Sequence, residues 1–124
     1  MPENHDPSGS TSAAISDAAV RVLREYTGRG PTKVRTIMGK DMAVILMGDT
    51  LTKAERSLVE SGDEPLVHDI RHRFQMTMRD DLVEIVEKCT GRTVAAFMSA
   101  NHFNPDLAAE IFVLEPVTEE PTGK

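Results

Sequence analysis

The sequence predicts an α+β domain in the order helix, two strands, two helices, two strands, with the strands forming about four antiparallel members of one sheet. Three observations predict it. Ile15, Ala19, Val22, Leu23 and Tyr26 recur at the three-to-four spacing of one helix face. Apolar runs come in two pairs, each divided by turn residues, and so read as two hairpins. Between the pairs, Glu64 to Thr90 holds helical periodicity without a glycine.

The first helix is expected from about Ala13 to Tyr26, capped by Thr11 or Ser12 and ended by Gly28. Gly28-Arg29-Gly30-Pro31 makes a tight connection to a strand over Lys33 to Met38. Gly39-Lys40-Asp41 turns the chain into Met42–Met47, which is apolar on both faces. Such a strand is expected at the centre of a sheet, covered on both sides or covered on one by a partner chain. Thr52 with Glu55 has capping-box spacing and opens a short helix anchored by Leu51, Leu58 and Val59. Ser61-Gly62-Asp63 breaks it, and Pro65 stands at a permitted first-turn position of the long helix. At 1.5 Å per residue that helix is roughly 35–40 Å long. That exceeds the expected core, so it is expected to kink or to project toward a second subunit. Val67, Ile70, Phe74, Met78, Ile85 and Cys89 are expected on its buried face, with Asp81 beside them and His68 and His72 turned away. The last hairpin is read as strands at Val94–Met98 and Ile111–Leu114, around a polar turn from Asn101 to Asp106.

A chain of 124 residues fits one domain with its own core. Residues 13–115 are expected to form it, between disordered tails at 1–12 and 116–124. Aromatic residues are scarce, four Phe and one Tyr, so the seven Met fill core gaps or mark a surface that repacks against partners. The net charge of −6 argues against nonspecific nucleic-acid binding and against docking on anionic lipid. The single cysteine, Cys89, forms no intrachain disulfide. The longest apolar run, about Met42 to Met47, is too short to span a bilayer, and the first residues lack the features of a signal peptide. The chain therefore reads as cytoplasmic.

Chemical motifs are weak. His68-Asp69-Ile70-Arg71-His72 resembles H-E-x-x-H with Asp for Glu, but the wheel points both histidines outward and no third ligand follows, so no metal is expected. Asp80-Asp81 reads as an acidic site or as part of an ion pair with Arg35, Arg79 or a partner subunit. Arg29, Lys33 and Arg35 flank a glycine-rich turn that lacks a phosphate-loop pattern; a basic turn binding an acidic segment fits as well. His102, Asp106 and Glu110 surround the last hairpin, where they hold a cation or simply shape the turn and start a strand. Ser99, His102 and Asp106 lie too close in sequence for a catalytic triad. No cofactor and no catalytic residue are assigned. Arg29, Lys33, Arg35, Arg71, Asp81, His102, Asp106 and Glu110 remain as candidate functional or interface positions.

Gly28-Arg29-Gly30-Pro31, Lys33-Val34, Leu51-Thr52 with Glu55, Arg71, Arg73-Phe74, Asp80-Asp81-Leu82, Glu84-Ile85, Thr90-Gly91-Arg92, Phe97-Met98-Ser99, His102, Pro105-Asp106 and Glu110–Leu114 together resemble an MpsC-like bacterial domain family. The family takes its label from a proposed sodium-translocating, membrane-potential-generating system. His72 stands where that pattern leads to a basic residue. The resemblance implies an accessory or regulatory module beside a membrane ion-translocating system, with a possible membrane-protein partner. With no spanning segment in the chain, direct insertion and ion conduction are not expected. A homodimer through the long helix and the Met42–Met47 strand is expected. A small-molecule, anion or metal-ion sensor, with Arg29, Lys33, Arg35 or Arg71 as anion ligands, is the alternative.

Overall fold

Seven elements follow one another in the computed structural model, which describes residues 7–31 and 33–116. They are α1 (Pro7–Thr27), β1 (Lys33–Met38), β2 (Met42–Gly48), α2 (Lys53–Glu60), α3 (Glu64–Thr90), β3 (Val94–Phe103) and β4 (Asp106–Leu114). The fold is α+β in the expected order. The sheet runs β1-β2-β4-β3 with every neighbour antiparallel. Each hairpin pairs its own strands, and β2 with β4 forms the seam that joins the two hairpins.

The start of α1 differs from expectation. Residues 7–12 are helical, so the helix begins six positions before Ala13. Ser and Gly are weak helix formers, but Pro7 has a pre-set φ and Thr11 and Ser12 are half-buried, so packing overrides propensity. The rest of the expected N-terminal tail, 1–6, and residues 117–124 of the expected C-terminal tail lie outside the described residues. Gly28, at φ +81°, ends α1 in the left-handed region that a side chain would strain, and its N–H bonds the Arg24 carbonyl at 2.9 Å.

Strand alternation sorts the sheet into two faces. The inner face carries Ala43, Ile45 and Met47 of β2 with Ala108, Phe112 and Leu114 of β4. Against them pack Ile15 and Ala19 of α1 and Met78, Leu82 and Val86 of α3. A second cluster, Leu51, Val67 and Phe103, closes the other end beneath α2. Burying each of the larger side chains contributes about 2–3 kcal/mol.

These two clusters explain the length of α3. Its buried positions run from Val67 to Val86, so the helix is covered along most of its 27 residues. It does not outrun the core, because β3 and β4 extend over ten and nine residues, well beyond the short runs expected, while Leu66, Phe74 and Met76 on it stay exposed. The turn between them shrinks to Asn104-Pro105, whose peptide bond is cis.

Among the described residues, no helix packs on the outer face. The register places Ile37 of β1, Met42, Val44 and Leu46 of β2, Leu107, Ala109, Ile111 and Val113 of β4, and Ala96, Met98 and Ala100 of β3 there. Ile37 is 46% exposed, Met42 41%, Met98 49% and Leu107 38%. The Met42–Met47 strand is therefore central, as expected, but the described helices cover only one of its faces. Among the described residues, no helix is long and apolar enough to cross a membrane.

Candidate functional site

A cavity of about 360 Å³ opens between the end of α1, the start of α2, the first half of α3 and the inner face of the sheet. Leu23 and Tyr26 of α1, Met47 of β2, Leu58 of α2, and Ile70, Phe74 and Met78 of α3 supply apolar walls. The seat of α2 follows from local chemistry. Thr52 accepts from the Glu55 N–H at 3.1 Å, and the Glu55 carboxylate accepts from the Thr52 N–H at 2.9 Å, which completes the expected capping box.

The same Glu55 Oε1 takes a second donor, Nη1 of Arg71, at 3.1 Å. Both side chains of this ion pair are largely buried. Arg71 Nε donates to Asn101 Oδ1 at 2.9 Å, and Nη2 donates to Thr50 Oγ1 at 2.7 Å. One turn on, Gln75 Nε2 donates to Asn101 Oδ1 at 3.2 Å and to Glu110 Oε2 at 3.1 Å, while Asn101 Nδ2 returns a bond to Gln75 Oε1 at 3.1 Å. Ser99 Oγ donates to the other oxygen of Glu110. The cavity thus has apolar walls and a hydrogen-bonded polar floor, in which each side-chain amide and carboxylate has found a partner.

Glu110 is the one carboxylate in this floor without a direct ion pair among the described residues. Burial pushes its pKa up from 4.5 to about 7. Hydrogen bonds from Ser99 and Gln75 and the charge of Arg71 oppose the rise without cancelling it.

The eight candidate positions separate into three groups. Arg71 and Glu110 belong to the floor. Arg29 lines the cavity and binds the chain's own 49–51 segment, through the carbonyls of Asp49 and Leu51 at 3.1 and 3.0 Å and the Asp49 carboxylate at 3.3 Å. Within the chain, its acidic partner is Asp49. Asp106 joins the floor indirectly: it accepts from Thr50 Oγ1 and the Leu51 N–H, each at 2.9 Å, and meets Arg56 at 3.3 Å. Lys33 and Arg35 lie elsewhere, exposed on β1. His102 pairs with Leu107 on the outer face, opposite Asp106 and Glu110, and its Nδ1 meets the Pro105 carbonyl at 2.8 Å. Asp81 is exposed and accepts from the Tyr26 hydroxyl at 2.8 Å, while Arg79 pairs with Asp80 at 3.6 Å. Of the Asp80-Asp81 pair, Asp80 thus meets Arg79 while Asp81 meets a phenol, whose pKa the bond to Asp81 raises.

His68 and His72 are both exposed, as the wheel indicates, and the His68 ring lies 4.3 Å from that of Phe103. Ser99 is engaged with Glu110, away from His102. Among the described residues, no group of three or more His, Cys, Asp or Glu side chains could hold a metal ion.

Sequence reasoning missed Gln75 and Asn101. The usable signal was alternation. Ser99, Asn101 and Phe103 on β3 and Asp106, Ala108 and Glu110 on β4 share the inward register. On α3 the buried line is Val67, Gln75, Met78, Leu82 and Val86. The expected stripe through Ile70, Phe74, Ile85 and Cys89 is displaced: Phe74 is 44% exposed, and the other three are only half-buried.

No curated protein and no solved structure matches the chain. A family model does, described as the Na+-translocating membrane potential-generating system (MpsC), and it covers residues 8–116. That span takes in α1 from its second residue, α2, α3, β1 to β4 and every residue of the cavity floor, and the chain belongs to the MpsC family.

Proposed function

We propose that this domain works by association and not by catalysis: a cytoplasmic accessory or regulatory module of a membrane ion-translocating system, acting as a homodimer. The observation that carries this reading is the uncovered apolar face of the sheet. Four strands about 4.8 Å apart, over some six residues at about 3.4 Å each, give roughly 400 Å² in projection. Apolar patches of that size on a monomer commonly mark interaction sites. Two such faces in contact bury on the order of 1,000 Å² once side-chain relief is counted, the lower bound of a specific interface.

A second copy suits this face because charge is confined to one edge of it. Lys33 and Arg35 lie on β1, and no carboxylate from the paired strands shares their face. A two-fold axis along the strands sets β1 over the partner's β3, keeping the basic edges apart. The family description supports the link to an ion-translocating membrane system.

Size-exclusion chromatography with light scattering at micromolar concentration tests the dimer, and a clean monomer would overturn it. Met42→Lys with Met98→Lys should give a folded monomer, since both side chains meet water in the protomer. A dimer that survives both changes uses another surface. An ion-transporting membrane protein retained by the wild type from a membrane fraction, and lost with the double variant, would support the accessory role. The cavity favours a second reading, a small-molecule sensor.

A further inference from the structure

The cavity differs from the outer face in being bounded on several sides, by three helices and by the sheet. At about 360 Å³ it falls at the lower end of small-molecule sites, and it is too small to admit a helix or a strand. Its charged groups are already committed. Arg71 holds Glu55, Thr50 and Asn101. Arg29 holds Asp49 and Leu51. Glu110 accepts from Ser99 and Gln75. An anionic ligand entering here would lose its hydration and find both arginines already paired, and a cationic one would meet only the buried Glu110, whose two oxygens already accept from Ser99 and Gln75, so either charge is unfavourable. An uncharged, largely apolar molecule would lose little and would cover Met47, Phe74 and Met78. Met side chains adapt readily to ligand shape.

We propose that this cavity is a binding site for a small, uncharged, mainly apolar molecule, about the size of a substituted benzene ring or a six-carbon chain bearing one hydroxyl group, which can donate to Gln75 Oε1 beside the bond from Asn101. The body of the ligand lies between Leu23, Met47, Phe74 and Met78, and its single polar group reaches the Gln75 side of the floor. This gives the sensor reading a ligand class. It is independent of the dimer, because the cavity lies on the opposite side of the sheet from the proposed association face.

The test is a matched set of probes read by thermal shift and calorimetry on the full chain: hexanol, hexylamine and hexanoate, then p-cresol, benzylamine and benzoate. Hexanol and p-cresol are expected to raise Tm by a few degrees near saturation, with at least ten-fold tighter binding than their charged counterparts. Ala54 is exposed on α2 and lines the cavity, so Ala54→Trp should abolish the shift without unfolding the protein. Phe74→Ala removes a half-exposed wall and should weaken binding at least five-fold. Met42→Lys with Met98→Lys should leave binding unchanged. The proposal is overturned if neither neutral probe binds at its solubility limit, if the charged probes bind equally well, or if binding persists in a folded Ala54→Trp protein.

Discussion

Glu110 shows how one buried carboxyl sets a pH response. Gln75 and Arg71 of α3 and Ser99 of β3 face it, and Arg71 is the charged group acting on it. Its folded pKa is about 7 against 4.5 for an ordinary glutamate, so between these values the folded chain holds a proton that the unfolded chain has released. The sign follows: this group's contribution to stability is present below about pH 4.5 and is lost as pH rises through about 7. The loss is on the order of 3 kcal/mol. Urea unfolding of the wild type from pH 5 to 8, compared with Glu110→Gln, should show this slope in the first and not in the second. A parallel pair of curves would refute it.

Among the elements, α2 is the one most dependent on its cap. It has eight residues, fewer than an isolated helix needs, and a complete capping box. Thr52→Ala should lower stability by about 1 kcal/mol, measured as a shift of the urea midpoint, and an unchanged midpoint would remove the cap's importance. This cap was legible because it is local: Thr52 and Glu55 identify it by spacing alone. The bounds of α3 were legible for the same reason, with Pro65 at its start and Gly91, at φ +69°, just past its end. The extent of β3 and β4 was not. Their outer stretches carry Ser99, Asn101 and Glu110, which bond one another or α3, and Asp106, which bonds Thr50, Leu51 and Arg56, so no apolar run marks them. The helical wheel failed at Phe74 for a related reason. It weighs apolar residues, whereas the inward line of α3 includes Gln75, held by Asn101 and Glu110. The candidate site was thus readable only in fragments, since its polar floor forms when α3 packs on the hairpin that follows it and joins residues 26 to 35 positions apart.

At the scale of the whole molecule, the helices cover one face of the sheet and leave the other apolar and open, an asymmetry that motivates both proposals. Both hairpins are closed by short turns, and Arg92 ties their ends together by donating to the Lys40 carbonyl at 2.7 Å and the Glu115 carbonyl at 2.6 Å. The β2–β4 seam is of another kind. Ile45 pairs with Glu110, more than half the chain's length away. Contacts within a hairpin close in microseconds, whereas a closure over such a span carries a larger entropy cost and slows folding. The seam therefore acts as the kinetic gate of the fold, with the hairpins ready before it shuts. Ile45→Val, a loss of one methylene within the seam, should slow the folding arm of the chevron, and a change confined to unfolding would place the seam after the barrier. Until the seam shuts, Met47 of β2 cannot wall the cavity against the floor carried by α3, β3 and β4, so the enclosed cavity is among the last features this chain acquires as it folds.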